Sequence, residues 1–546
     1  MISLWRKVIS NSPSLWNQNF IAISFILLFF LTNSVITAKK ITKTTDEVVH
    51  LEYGLNLLSG DSKRSIDGTM PISMWNALPR FMAQYLPDNN LKYFLDTFLA
   101  ARLMTVFFSC GIAFIVFHFS RALYGFLPAL ASLILYIFDP NILAHSQLVT
   151  TDTYVTGFLL LAIFSLWRYA LSRNWKNALL LGVSLGLAQT AKYTAISYPF
   201  LAILSLLFYD LIRLWKKETK NWARIIPSYL WEYFKLSALI LAISILILNI
   251  AYSFQDTFIP FGKYSFNSGL FLGIQKETPV LNTAPVPIPY AHLQGLDWTM
   301  RHLQTGVWHG NHYLLGNTRK PDGFLGYYIV AFLLKEPLVT QAFILLAFGT
   351  YFMDKERRES AQEIFLLIPI VFYFIYFNSF YNVQIGIRHY LIIFPLLFVF
   401  VGSFFSKIHK FSLKHKLALV FSFIYLVISL FSYFPYYIPY FNELVWERKN
   451  AYLYLADSNL DWGQGEGALQ QYLEENPQAK YEPSKVDFGL IVISPNALVG
   501  VTEDPQKYAW LRENFEPVDT VAYEYLVYDI SRSSFEEQCE RTKFCK

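Results

Sequence analysis

Charge is scarce in this chain: of 546 residues, 16% are Asp, Glu, Lys or Arg, against about 25% in soluble domains. Its 3 cysteines are too few for a disulfide framework. It has no glycine-rich phosphate loop, nucleophile elbow or zinc-protease motif, and neither an internal repeat nor a low-complexity tract. These absences exclude a soluble multidomain enzyme and the collagen-like, disordered and disulfide-scaffold classes. What fills the chain is apolar, 54% hydrophobic and 18% aromatic, in runs too long for buried core helices.

Apolar runs of spanning length, some short or broken, begin near Phe20, Phe98, Phe126, Thr153, Ala178, Tyr193, Leu236, Tyr327, Ile364, Tyr390 and Leu417. They predict a polytopic α-helical membrane protein with about eleven transmembrane helices. Arg6 and Lys7 precede the first run and argue for a cytoplasmic amino terminus, because short loops rich in Lys and Arg stay inside. The inner side then also receives Arg121, Arg168, Arg173, Lys176, the stretch 213–235, Lys355, Arg357, Arg358 and the stretch 407–416. Lys39, Lys40 and Lys43 run against this pattern, and a cleaved signal peptide ending near Ala38 is the competing reading. An odd number of spans places the carboxyl-terminal tail outside.

The anchored topology puts two long loops on the outer face, residues 38–96 and 254–325, where function concentrates. The first has helical periodicity around 46–58 and 72–86, suited to lying in the membrane interface. Residues 1–440 are expected to form the multispanning membrane domain and residues 441–546 a small extracytoplasmic α/β cap. That cap carries 10 Lys and Arg against 19 Asp and Glu, while the remainder carries 35 against 21. Neither part has the dense basic stripe of a nucleic-acid binder. Within the cap, helical runs at 465–476 and 504–515 alternate with strand-like runs at 486–493 and 521–530. Cys539 and Cys545 can close a short loop if the tail meets an oxidising compartment, whereas Cys110, inside a span, reads as a small apolar side chain.

Polar residues beside the spans are costly and so informative. Asp46 and Glu47 follow the first span, about 100° apart on a helix, so one can face a cavity while the other caps or pairs. The simpler alternative is an N-terminal cap favouring both acids. Asp152 opens the fourth span and has the same alternative. Asp139, in Phe138-Asp139-Pro140-Asn141, reads as a structural turn residue, and the nearby His145 reads more readily as a hydrogen-bonded packing group than as a ligand. Lys192 sits between two apolar stretches, where snorkelling competes with function. Arg388 and His389 begin the tenth span on the outer side, where the positive-inside bias gives no reason for a cation; Arg102, near the outer end of the second span, is similar. Outward carboxylates and cations on one leaflet suit a lipid-phosphate substrate and an acceptor that must be deprotonated. His302, His309 and His312 are too loosely spaced for a metal motif, so no cofactor is expected, with a divalent metal as the lesser alternative.

Taken in order, Asp46-Glu47, Ala101-Arg102-Leu103, the stretch from Phe138 to Asp152 containing His145, Ala191-Lys192 and Ile387-Arg388-His389-Tyr390 resemble the polyprenyl-phosphate-sugar-dependent transferases of the glycosyltransferase C superfold. That group contains the protein O-mannosyltransferases and the lipid A aminoarabinose transferases. The tail segment Asp457-Ser458-Asn459-Leu460-Asp461-Trp462-Gly463-Gln464 looks like one from a bacterial branch of the group. The resemblance implies Asp46 as catalytic base, a second acid at Asp152, and cations gripping the lipid phosphate. The acidic tail departs from the cap of the eukaryotic mannosyltransferases, so their acceptor does not carry over.

The chemistry is consistent with that implication. A sugar leaving a polyprenyl phosphate passes through an oxocarbenium-like state, and its leaving group needs cations rather than a proton donor. Asp46 would take the acceptor's proton, Glu47 or Asp152 would position acceptor or base, and Lys192 with Arg388 would neutralise the phosphate, with His389, Arg102 and His145 as further substrate-binding candidates. The expected protein is an inner-membrane glycosyltransferase acting on the outer face. It would move a sugar with inversion from a polyprenyl-phosphate donor to a protein, lipid or glycan acceptor, with membrane lipids as surroundings and no nucleic-acid partner. The rival readings are a transporter or lipid flippase, which would more often show repeats and paired broken helices, and a receptor or scaffold displaying the cap.

Overall fold

In the computed structural model, residues 13–216, 222–305 and 310–542 are described. Among them seven helices are long and apolar enough to cross a membrane. An eighth span results if the bent pair Tyr327–Lys335 and Leu338–Met353, which meet at 116°, crosses as one. The chain is a multi-pass membrane protein. The bend has a local cause: Pro337 cannot continue a helix, and the preceding Glu336 is extended at φ −88°, ψ 135°. Three of the expected starts, Phe126, Ala178 and Ile364, fall on shorter helices, Phe126–Ile137, Trp175–Ala191 and Ile364–Ser379. At 1.5 Å per residue these reach roughly 18 to 26 Å, less than a hydrocarbon core of about 30 Å.

The span Ile387–Phe405 is central and almost wholly buried, whereas Leu413–Phe431 is mostly exposed and turns Phe421 and Ile428 outward. Lipid tails are as apolar as leucine, so the helices associate by close packing rather than by escape from water. Helix Trp175–Ala191 meets helix Trp222–Ala251 at Gly182 and Gly186, one turn apart, where an added Cβ would lie 2.6 Å from Ile243 and from Ile247.

The loop after the first span folds into helices Thr45–Leu58, Ser73–Ala83 and Asn90–Leu95. The first two cross at Gly54, where a Cβ would stand 2.3 Å from the Ser73 carbonyl oxygen and 2.9 Å from the Ala77 Cβ. Backbone cannot yield as a side-chain tip can, so Gly54→Ala is expected to cost about 1–3 kcal/mol by forcing the pair apart. An unfolding midpoint unchanged from wild type in the same detergent would show that the helices separate freely. The second loop holds helices Gly269–Glu277 and Tyr290–Thr305 and the hairpin His312–Leu314 with Asn317–Arg319.

The tail contains helix Glu466–Glu475, strand Gly489–Ile493, helix Ala509–Asn514 and strand Tyr525–Ile530, in the order its sequence periodicity follows. Its four-stranded sheet runs Lys480–Tyr481, Gly489–Ile493, Tyr525–Ile530, Asp519–Val521, the first pair parallel and the others antiparallel. Side chains alternate across a strand. Val492, Tyr525 and Val527 therefore pack with Leu469 on one face, while Ile491, Ile493, Leu526, Tyr528 and Ile530 on the other join the apolar cluster of the membrane helices. Cys539 lies in the last helix, Arg532–Thr542; Cys545 lies outside the described residues.

Candidate active site

Helix Thr45–Leu58 divides its two adjacent acids. The Glu47 side chain is fully buried, whereas 31% of the Asp46 side chain is exposed. Glu47 Oε2 accepts from the Thr44 backbone N–H at 2.9 Å, which is half of a capping box. Arg102 donates to both of its oxygens, Nε to Oε1 at 2.9 Å and Nη2 to Oε2 at 2.6 Å, and the Val149 N–H reaches Oε1 at 2.9 Å. The remaining Arg102 donors go to the carbonyls of Ala38, Ile41 and Thr42 at 2.8, 3.0 and 2.8 Å. Glu47 and Arg102 thus lock the end of the first span to the second, and neither lines the cavity beside Asp46. The placement of Arg102 at a substrate gives way to a structural one, because every one of its N–H edges faces protein.

Asp46 opens instead onto a cavity of about 780 Å³. Asp152, Lys192, Arg388 and His389 line the same space, together with His50 and the aromatic side chains of Tyr193, Trp298, Phe372, Tyr376 and Tyr381. Each acid is matched to a cation from another element. Arg388 Nη1 donates to Asp46 Oδ2 at 2.8 Å, and Lys192 Nζ donates to Asp152 Oδ1 at 2.5 Å. Asp152 belongs to the first turn of helix Asp152–Leu171. Lys192 is aimed at it by a break in the helical path: helix Trp175–Ala191 ends, Lys192 is extended at φ −161°, ψ 146°, and the 3₁₀ turn Tyr193–Ile196 follows. Arg388 and His389 sit in the 3₁₀ turn Ile387–Ile393 that leads into the central span, and His389 Nδ1 lies 3.0 Å from the Tyr381 hydroxyl.

Burial would raise the Asp46 pKa, but the Arg388 guanidinium and the nearby His50 outweigh it and hold the carboxyl below its ordinary value. Burial pulls the His50 imidazole below its own, against the attraction of Asp46 and Asp152. Asp46 is thus held as a carboxylate. In the tail, burial pushes the Asp457 carboxyl up to about 7, against a hydrogen bond from the Ser458 N–H.

His145 is buried and does not reach the cavity; its carbonyl accepts from Thr153 Oγ1 at 2.8 Å and its ring lies 6.0 Å from that of Trp462. Asp139 caps helix Pro140–His145 through the Ile142 N–H at 2.7 Å, the structural part expected of it. His302 faces the cavity with its ring 2.9 Å from the Asp67 carboxylate, His312 is in the hairpin, and His309 lies outside the described residues. Among the described residues no group of three or more His, Cys, Asp or Glu side chains is gathered as a metal site would require.

Three residues at the site were not among those expected from the sequence: His50, Tyr381 and Trp462. His50 stands one helical turn after Asp46, a spacing that puts both on one face and was available as a signal. Trp462 lies within the tail segment that carried part of the resemblance, and its ring centre is 4.0 Å from the Arg388 guanidinium carbon. Tyr381 had no local signal.

Residues 68–256 match the family described as dolichyl-phosphate-mannose-protein mannosyltransferase. The matched segment contains the Asp152–Lys192 pair, while both partners of the Asp46–Arg388 pair lie outside it. No curated protein matches the chain in sequence. Two solved structures of ArnT from Cupriavidus metallidurans are similar to it. The apo form is 14% identical, with a TM-score of 0.41, over 73% of this chain and 60% of that one. The form bound to undecaprenyl phosphate is 11% identical, with a TM-score of 0.48, over 94% of this chain and 98% of that one.

Proposed function

We propose that the protein is an integral membrane glycosyltransferase that moves a sugar from a polyprenyl-phosphate donor to a hydroxyl of an envelope acceptor, whether protein, lipid or glycan, with inversion. The observation that carries this reading is the convergence of two carboxylate–cation pairs, Asp46–Arg388 and Asp152–Lys192, on one cavity walled by aromatic side chains. Cations there suit a phosphate and an ionised carboxylate suits a general base, while aromatic walls suit a sugar face and a prenyl chain. The match of residues 68–256 to a family named for a polyprenyl-phosphate-linked mannose supports the donor class.

In this mechanism the acceptor oxygen attacks the anomeric carbon from the face opposite the phosphate. Its proton passes to an Asp46 oxygen, and the bond from the anomeric carbon to the phosphate oxygen breaks, releasing polyprenyl phosphate with that electron pair. Arg388 shifts donors from Asp46 to the phosphate, which frees the base as the leaving group is gripped. Lys192, held by Asp152, adds the second positive charge. Two side-chain cations meet the charge developed by this leaving group, so the mechanism calls on no metal. With the bent pair and the three shorter helices all taken as crossings, the spans number eleven, an odd count that agrees with the Lys- and Arg-rich loops lying inside. Residues 441–546 and the cavity then lie outside the cytoplasm of an inner membrane, the tail serving as an α/β cap.

The test is consumption of labelled polyprenyl-phosphate sugars by purified, monodisperse protein. No turnover across the common hexose and pentose donors would end the proposal. Lys192→Met and Arg388→Gln are each expected to weaken donor binding about tenfold or more and to slow transfer, because hydrogen bonds to charged groups contribute about 1.5–3 kcal/mol. Donor affinity and turnover unchanged in both variants would remove the phosphate clamp.

A further inference from the structure

The turn that bears Arg388 and the helix that bears Asp46 are both held by one short segment of the tail. Trp462 lies with its ring centre 4.0 Å from the Arg388 guanidinium carbon, and its carbonyl accepts the Thr45 N–H at 3.1 Å, one residue before Asp46. Asn459 Oδ1 accepts the Ile387 N–H at 3.0 Å, one residue before Arg388. Trp462 is itself fixed: its N–H donates to Gln464 Oε1 at 2.9 Å, and Gln464 Nε2 donates to the Leu460 carbonyl at 2.7 Å. Arg388 therefore stands over an aromatic ring and commits one donor, Nη1, to Asp46, while its Nε is buried with no hydrogen-bond partner.

We infer that Trp462 is a positioning residue of the active site, which presents its ring to the Arg388 guanidinium and aims the remaining N–H edge at the phosphate of the donor. The inference rests on the donor reading above and adds to it a part for the tail. An indole face attracts a guanidinium through its quadrupole without competing for its N–H donors. A carboxylate in the same place would consume them. The ring thus fixes the plane of the cation and leaves its edge to the anion.

The test is affinity for undecaprenyl phosphate, with undecaprenol as the uncharged control, measured on the full chain in detergent. Trp462→Leu is expected to weaken binding of the phosphate about tenfold, and Trp462→Phe, which retains a smaller aromatic face, by no more than about threefold. In an Arg388→Gln background both effects should vanish, because Trp462 acts through the guanidinium. Equal losses with and without Arg388 would mean that Trp462 only supports the fold, and would overturn the inference while leaving the donor reading intact. If Trp462→Leu does not give monodisperse protein, the Trp462→Phe comparison in the two backgrounds decides by the same rule. Wild-type protein that binds undecaprenyl phosphate no better than undecaprenol would overturn the donor reading, and the inference with it.

Discussion

Asp46→Asn is expected to reduce sugar transfer by about a hundredfold or more, with affinity for undecaprenyl phosphate close to that of wild type. The substitution is nearly isosteric, and the Asn oxygen can still accept from Arg388 Nη1, which reaches Asp46 at 2.8 Å. What disappears is the group that takes a proton, and general-base catalysis typically contributes about 10²–10⁴-fold. The sign of the pH dependence follows from the lowered pKa of Asp46. The base is active when ionised, so kcat/KM holds constant down to a pH below the ordinary carboxylate range and falls only beneath it. Arg388→Gln removes the main influence lowering that pKa and should move the acid limb to higher pH. Turnover of Asp46→Asn within a few-fold of wild type would reassign the base. Asp152 would be the next candidate, since Glu47 is fully buried and its oxygens accept from Thr44, Arg102 and Val149.

Arg102→Met should act on the fold rather than the chemistry, and strongly. The Arg102 and Glu47 side chains are 3% and 0% exposed, so the substitution leaves an uncompensated carboxylate in the interior and three backbone carbonyls without their donor. Breaking a buried pair from one side costs about 3–5 kcal/mol, a large part of the total stability of an ordinary domain. The expected result is a sharp loss of detergent-stable, monodisperse protein. Arg102→Met combined with Glu47→Met should recover part of it, because an apolar pair strands no charge. A thermal midpoint for the single variant equal to wild type would show that Glu47 finds another partner or protonates at little cost.

The fold was legible where the signal is local and the site only in part. Long apolar runs and the Lys- and Arg-rich segments between them follow from what lipid demands of a backbone, and the tail's alternating periods appear as its helices and strands. Asp46, Asp152, Lys192, Arg388 and His389 could be singled out because ionisable groups beside apolar runs are expensive. Which of Asp46 and Glu47 faces the cavity was not legible, since adjacent positions on a helix differ only in direction and the neighbours decide. Those neighbours are remote: Arg102 is 55 positions from Glu47, and Arg388 is 342 from Asp46. For the same reason Arg102, an outward cation with a weaker signal than Arg388, is spent on Glu47 and on three carbonyls. His145 is turned into the packing between the helix it ends and Trp462.

The backbone bond from Thr45 to Trp462 joins positions 417 residues apart, and this sets an order of events during translation. At about 5–20 residues per second, Asp46 leaves the ribosome roughly twenty to eighty seconds before the segment that seats its helix against Arg388. A nascent chain already threaded into the bilayer therefore carries Asp46 without the tail segment that holds its helix. The contact that seats Asp46 against Arg388 is complete only when the last fifth of the polypeptide is made, so a truncated or stalled translation product lacks it.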